Sequence, residues 1–173
     1  MTAMHHPPEC RLHRRRLLGL GAAGLAAALA PADRVRAAAG TDALLLNCMD
    51  FRLTAKTTNY MSAHGMAGKY DQIVLAGASL GARNDKFPAW GQTFWEHVQV
   101  ALDLHHIRKI VVIDHRDCGA YKVILGKDLK GKEEFDLHAA QMRALRAEIN
   151  KRYPQLLVEL GLMALDGKVE IVA

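Results

Sequence analysis

The sequence predicts one α/β domain in which helices flank a mainly parallel sheet with one antiparallel edge strand. Half of the 173 residues are apolar, which is enough for one buried core. From Thr41 onwards, short apolar runs alternate with segments of helical periodicity, as in parallel sheets with helical crossovers. The last two runs, Leu156–Leu165 and Lys168–Val172, flank Asp166-Gly167, a strong signal for a two-residue hairpin turn.

The first half of this pattern contains two strands and two helices. The run Ala43–Asn47 predicts the first strand, and Gln72–Leu75 predicts the second. Between them, residues 53–64 carry apolar side chains at helical spacing. A polar loop over residues 82–91 then leads to a second helix over residues 92–105, which has an apolar stripe.

The second half begins with a third strand, which we predict over Lys109–Asp114. A short helix is expected to start near Cys118, and the charged residues 126–133 predict a surface loop. Asp136 is a suitable N-cap for a long helix that ends near Arg152. The residues of this helix that are predicted to face inward are Leu137, Ala140, Ala144, Leu145 and Ile149.

The net charge of +5 is concentrated at the amino terminus. Residues 1–39 hold six of the arginines and two of the acidic residues. Removing them from the totals of 23 basic and 18 acidic residues leaves 17 and 16, a net charge of +1. A nearly neutral domain offers no basic surface to a polyanion, so we expect no nucleic-acid partner.

The amino-terminal segment has the organisation of an export signal. Three arginines, Arg14–Arg16, precede an apolar stretch over residues 17–30. Small residues that suit cleavage follow at Ala30-Pro31-Ala32 and at Ala37-Ala38-Ala39. Paired arginines followed by leucines resemble a twin-arginine signal, which directs proteins that are already folded.

This signal sets the predicted domain boundaries and the compartment. The alternative is an uncleaved membrane anchor, but fourteen apolar residues are too few to cross a bilayer of about 30 Å. We therefore expect residues 1–39 to be removed, leaving one periplasmic domain over residues 40–173 with no stable membrane insertion.

Two cysteines and one histidine directly follow predicted strands. Cys48 comes after the first strand, and His115 and Cys118 come after the third. The carboxyl ends of parallel strands share one edge of a sheet, so we expect these residues to meet. Two thiolates and one imidazole form a three-ligand zinc set that leaves one coordination position free. The sequence therefore predicts Zn²⁺ as the cofactor.

Two other interpretations of the cysteines stay open. Cys10 lies in the predicted signal, so Cys48 and Cys118 are an even pair that could form a disulfide in an oxidising compartment. Both could also be small, inert core residues. Export of a folded protein favours metal ligation, because the metal can be bound before export.

Asp50 and Arg52 lie two and four residues after Cys48. An arginine can hold a carboxylate through two hydrogen bonds, which fixes its orientation and keeps it ionised. Such an aspartate could orient a metal-bound hydroxide or, when released, occupy the free coordination position itself. The alternative is an ordinary surface ion pair worth less than about 1 kcal/mol.

The pattern Cys48-x-Asp50-x-Arg52, followed by His115-x-x-Cys118-Gly-Ala, resembles the β-class carbonic anhydrases from about Ala43 to Val172. The resemblance implies zinc held by Cys48, His115 and Cys118, with Asp50 and Arg52 as a catalytic dyad. It also implies four parallel strands with an antiparallel fifth, and homodimers whose sites lie near the interface.

The implied reaction is reversible hydration of carbon dioxide to bicarbonate by a zinc-bound hydroxide. Related hydrolases of carbonyl sulfide and carbon disulfide share the same ligands, so these substrates stay open, as does a catalytically silent zinc-binding protein. The chain has Leu75–Ser79 where the family usually has an Arg-Asn-Ala-Gly turn. The amino-terminal arm typical of the family is short or missing, because a signal occupies its place.

Overall fold

A five-stranded sheet organises the computed structural model, which describes residues 41–173. Its strands are β1 (Ala43–Asn47), β2 (Tyr70–Val74), β3 (Lys109–His115), β4 (Leu157–Met163) and β5 (Val169–Ile171). Their order in the sheet is β2-β1-β3-β4-β5; the first four run parallel and β5 pairs antiparallel with β4. The predicted α/β fold is confirmed. The export signal predicted over residues 1–39 lies outside the described residues.

The helices follow the strands in the predicted alternation. A 3-10 turn over Phe51–Leu53 leads into the first helix, and the helices are α1 (Thr54–Ala63), α2 (Ala78–Gly81), α3 (Pro88–His105), α4 (Gly119–Leu125) and α5 (Gly131–Arg152). Helix α3 starts four residues earlier than predicted. Pro88 occupies its first turn, where the missing N–H costs nothing and the ring sets a helical φ angle. No helix among residues 41–173 is long and apolar enough to cross a membrane.

The two central strands are buried on both faces, which explains why they consist of continuous apolar runs. Successive side chains of β3 point to opposite sides of the sheet. Ile110 and Val112 pack with the inner sides of α3 and α5, whereas Val111 and Ile113 pack with α1. The next two residues continue this alternation, so Asp114 faces α5 and His115 lies on the other face.

Helix α5 differs from the prediction in its start and in its inward face. It begins at Gly131, with Lys130 as a cap residue that makes no side-chain bond, so Asp136 is not the N-cap and residues 131–133 are not loop. The residues that it buries are Glu134, His138, Ala139, Met142, Leu145 and Ile149. The predicted face was therefore wrong at Ala140, which is exposed. Hydrogen bonds to Glu134 and His138, rather than apolarity, decide which side of the first two turns is buried.

The carboxyl-terminal hairpin has a three-residue loop instead of the predicted two-residue turn. The Ala164 N–H donates to the Lys168 carbonyl at 2.8 Å, and the Gly167 N–H donates to the Ala164 carbonyl at 2.9 Å. Gly167 has a φ of 95°, which closes the loop in a conformation that favours glycine. One more residue, Leu165, therefore belongs to the connection.

Candidate metal centre

The structure brings Cys48, His115 and Cys118 together at the carboxyl edge of the sheet. Cys48 directly follows β1, His115 ends β3, and Cys118 precedes the first residue of α4. One ligand atom from each of the three lies within 4.8 Å of the other two. They form the only group of three or more potential metal ligands within residues 41–173.

The spacing of the two sulfur atoms favours a shared metal over a disulfide. Both cysteines are free, and their Sγ atoms are 3.8 Å apart. A disulfide requires about 2.05 Å. Two zinc–sulfur bonds of about 2.3 Å at a tetrahedral angle place the sulfurs about 3.8 Å apart, which fits the observed separation.

His115 presents an unpaired nitrogen to this centre. Its side chain is buried, and its Nδ1 lies 2.8 Å from the Arg116 carbonyl, to which it donates. That bond leaves the lone pair on Nε2. Within residues 41–173, Nε2 is the only buried side-chain nitrogen or oxygen atom without a hydrogen-bond partner. A metal ion would satisfy it, so the three residues fit Zn²⁺.

The surroundings of Cys48 stabilise its thiolate. A hydrogen bond from Cys118 lowers the pKa of Cys48 to about 4, and His115 and the Gly77 N–H add to the effect. The Gly77 N–H lies 3.3 Å from the Cys48 sulfur. The same bond between the thiols, together with burial, raises the pKa of Cys118. The pair therefore shares one proton, which a metal ion would displace.

Arg52 holds Asp50 in a bidentate ion pair. Its Nη2 donates to Oδ2 of Asp50 at 2.7 Å, its Nε donates to Oδ1 at 3.0 Å, and its backbone N–H donates to Oδ1 at 3.0 Å. The side-chain bond from Arg52 lowers the pKa of Asp50 to about 2, and Asp50 in turn raises the pKa of Arg52. Asp50 is therefore ionised and fixed in orientation.

Asp50 is close to the three ligands but stands outside their group. Its Oδ2 is 3.9 Å from the Nε2 of His115. The carboxylate is hydrogen-bonded to Arg52 rather than to the three candidate ligands.

Asp117 is a member of this site that the sequence analysis missed. Its carboxylate accepts a hydrogen bond from Nη1 of Arg52 at 2.7 Å, and its carbonyl accepts one from Nη2 at 2.9 Å. The residue lies inside the His115–Cys118 motif and has a positive φ of 56°. Its position between His115 and Cys118 in the sequence could have indicated that it lies at the site. Arg52 is thus held from both sides.

An apolar cavity of about 260 Å³ opens beside Cys48. Phe87 and Trp90 stack on each other at 4.3 Å and form one wall. The other walls include Met49, Ala76, Val123 and Ile124. Trp90 lines the cavity, whereas Phe94 is fully buried in the core.

Two polar residues on the segments after β2, His105 and Arg83, do not belong to the site. His105 lies 2.6 Å from Asp71, which follows the first residue of β2 and so stands at the opposite, amino edge of the sheet. Arg83, in the loop after α2, turns to Glu148 on α5 at 2.8 Å. Neither side chain contributes to the metal centre.

Comparison with known proteins assigns the family. The model of the family described as "Putative carbonic anhydrase" matches residues 38–172. The chain belongs to this family. An uncharacterized protein of Rickettsia conorii is 43% identical over 129 residues, which are 73% of this chain and 69% of that protein. A second uncharacterized protein, from Rickettsia bellii, is 40% identical over 129 residues, covering 73% of this chain and 79% of that protein.

Solved structures extend the likeness to the fold. A carbonic anhydrase from Glaciozyma antarctica matches with a TM-score of 0.50 and 20% identity, covering 90% of this chain and 96% of that one. The Coccomyxa β-carbonic anhydrase, solved with acetazolamide, matches with a TM-score of 0.51 and 16% identity, covering 87% of this chain and 81% of that one. The fold is that of the β-carbonic anhydrases.

The Arg52–Asp50 pair predicts an acid-shifted titration. In metal-free protein, Asp50 should titrate with a pKa of about 2, and Arg52→Gln should move that pKa towards the ordinary 3.8. Because the folded pKa is lowered, the pair stabilises the fold above the ordinary pKa, and the contribution is lost as pH falls through about 2. Carbon-13 NMR of the carboxyl group measures this shift. An unchanged Asp50 pKa in Arg52→Gln would contradict the role given to Arg52.

Proposed function

We propose that this chain is a zinc-dependent carbonic anhydrase that interconverts carbon dioxide and bicarbonate. The observation that carries the proposal is the convergence of two thiols on a buried imidazole nitrogen that has no other partner. Membership of the carbonic anhydrase family supports the same reaction.

The residues around the ligands have distinct roles in this proposal. Zinc held by Cys48, His115 and Cys118 would keep one coordination position for water and lower the pKa of that water towards neutrality. Asp50, which is ionised and 3.9 Å from Nε2 of His115, would accept a hydrogen bond from that water and so orient it for attack. Arg52 holds the carboxylate of Asp50 and would thereby keep it from binding the metal itself.

The cavity beside Cys48 suits a small uncharged substrate. Its walls are mainly apolar side chains, which do not compete for hydrogen bonds and do not hold an anion. Carbon dioxide can enter such a cavity without losing strong hydration, whereas bicarbonate is favoured to leave it. Carbonyl sulfide and carbon disulfide have the same linear, uncharged form, so hydrolysis of either is the alternative activity.

Substitutions separate metal binding from catalysis. Cys48→Ser and His115→Ala should lose zinc, because each removes one of three protein ligands. Asp50→Asn should keep zinc but lower the rate of carbon dioxide hydration by about 100-fold or more, because the amide is a poorer acceptor. Metal analysis and stopped-flow hydration assays measure the two effects.

Asp103→Asn is the matched control, since Asp103 is an exposed aspartate on α3 that accepts a hydrogen bond from Gln99 and does not line the cavity. Full activity of Asp50→Asn at all pH values would contradict the orienting role. If zinc-loaded wild-type protein hydrated no carbon dioxide between about pH 6.5 and 9, the proposed reaction would be rejected. Turnover of carbonyl sulfide in the same preparation would then identify the alternative, and no turnover of any of the three substrates would indicate a silent zinc-binding protein.

We also propose that two copies of the chain pack across the mouth of the cavity. Large apolar side chains stand exposed there: Met49 and Val123 line the cavity and are 65% and 59% exposed, and Phe51, which follows the lining residue Asp50, is 86% exposed. Exposed apolar groups concentrated at one place are typical of interaction surfaces. Two β-carbonic anhydrases of Sordaria macrospora are tetrameric, which supports self-association on this fold.

Charge placed at this surface should prevent self-association. Phe51→Glu is expected to shift the protein to monomers in sedimentation velocity, because burial of an unpaired carboxylate is costly. Leu104→Glu is the control, since Leu104 is 66% exposed on α3 and does not line the cavity. A dimer that survives Phe51→Glu but dissociates in Leu104→Glu would place the interface elsewhere.

Export to the periplasm through the twin-arginine pathway is the third part of the proposal. Changing Arg15 and Arg16 together to lysine should retain the protein in the cytoplasm with residues 1–39 still attached, because the pathway reads the paired arginines. Cell fractionation followed by mass spectrometry measures both effects. Changing Arg34 and Arg36 to lysine is the control and should leave export intact. Equal export of the two double variants would reject the twin-arginine route.

A further inference from the structure

A buried hydrogen-bond network surrounds Asp114, the residue that precedes His115 in β3. One carboxylate oxygen of Asp114 accepts the Ser79 N–H at 2.9 Å. The other accepts the Ser79 hydroxyl at 2.7 Å, the Tyr121 hydroxyl at 2.6 Å and Nδ1 of His138 at 2.9 Å. All four residues are at most 2% exposed.

The network adjoins two of the candidate metal ligands along the chain and the hydrogen-bond donor of the third. Asp114 adjoins His115, and Tyr121 lies in the first turn of α4, three residues after Cys118. Ser79 lies in α2, two residues after Gly77, whose N–H donates to the Cys48 sulfur. One carboxylate thus connects the supports of all three ligands.

Asp114 supplies the acceptors of the network, and the groups around it supply the donors. An ionised carboxylate only accepts hydrogen bonds, and every group around Asp114 can donate one. Because the groups are buried, an unpaired member would be costly, and the geometry is held more rigidly than at a surface. Tyr121 also packs against His138, with ring centroids 3.7 Å apart.

Attachment of α5 to the sheet does not depend on His138. Met142, Leu145 and Ile149 on the same helix are fully buried in the apolar core and hold α5 against the sheet. Apolar packing of α5 therefore does not account for the buried hydrogen bond between His138 and Asp114. Through this bond, His138 contacts the residue that directly precedes His115.

We propose that Asp114 is a positioning residue of the metal centre, held by Ser79, Tyr121 and His138. The inference rests on the proposed zinc site and adds residues beyond its ligands. The network fixes the ends of β3, α2 and α4 relative to one another, so that the two sulfurs and Nε2 of His115 stand ready for one ion. Loss of hydrogen bonds that orient metal ligands typically weakens metal affinity by roughly 10–100-fold, and we expect a loss of that order here.

Zinc affinity, measured by competition with a chelator, tests the proposal. Asp114→Asn should bind zinc roughly 10–100-fold more weakly, and Tyr121→Phe should show a smaller loss because three bonds remain. The cobalt-substituted Asp114→Asn protein should also show an altered visible absorption spectrum, which reports ligand geometry directly. Leu145→Ala is the stability control: it should lower the melting temperature without changing zinc affinity or the cobalt spectrum.

Two substitutions of His138 test which of its ring nitrogens supports zinc affinity. His138 lines a second cavity of about 180 Å³, and no hydrogen bond to its Nε2 is found in the described part of the chain. Asparagine can place an amide N–H near the position of Nδ1, whereas glutamine reaches the position of Nε2. We expect His138→Asn to retain zinc affinity close to that of wild type and His138→Gln to lose it, although glutamine fills the site better.

The outcomes separate this inference from the proposed function. Wild-type zinc affinity in Asp114→Asn, or a loss no greater than that of an equally destabilised Leu145→Ala, would overturn the positioning role and leave the zinc site intact. Greater loss in His138→Asn than in His138→Gln would also overturn it, because the second cavity would then be the important contact. Absence of zinc in the wild-type protein would reject the proposed function itself, and this inference with it. If Asp114→Asn does not fold, Tyr121→Phe and the His138 pair decide.

Discussion

The parallel pairing of β1 with β3 is the constraint on which the candidate metal centre depends. Asn47 pairs with Ile113, so both strands end at the same edge, and Cys48 leaves β1 beside His115. A shift of one residue in this register would turn each side chain to the opposite face of the sheet. Apolar packing on both faces prevents that shift, because Leu44 and Leu46 fit one cluster and Ala43 and Leu45 fit the other. The hydrophobic core therefore sets the geometry of the polar site.

The two sides of the site have opposite character. On one side Arg52 joins Asp50 to Asp117, so that one cation compensates two carboxylates and orients both. On the other side Phe87, Trp90 and their neighbours form an apolar cavity. Ionised groups and apolar walls thus meet at Cys48.

Local sequence patterns predicted those elements whose buried residues are apolar. The strands β1 and β3 were recognised within one residue, because their side chains are apolar on both faces. The first turns of α5 were mispredicted, because Glu134 and His138 are buried through hydrogen bonds that no hydrophobic pattern reveals. The hairpin was predicted as an element, but its loop length depends on the backbone bonds of Ala164.

The sequence alone determined the types of the candidate ligands, their order and the strands that they follow, since residue types and apolar runs are local properties. It also placed Asp50 and Arg52 close enough to form an ion pair. Only the tertiary structure decided that Asp117 anchors Arg52, that the Gly77 N–H supports the Cys48 sulfur, and that Asp114 gathers donors from three helices. These contacts join residues far apart in the chain, so they depend on strand register and helix packing rather than on any local pattern.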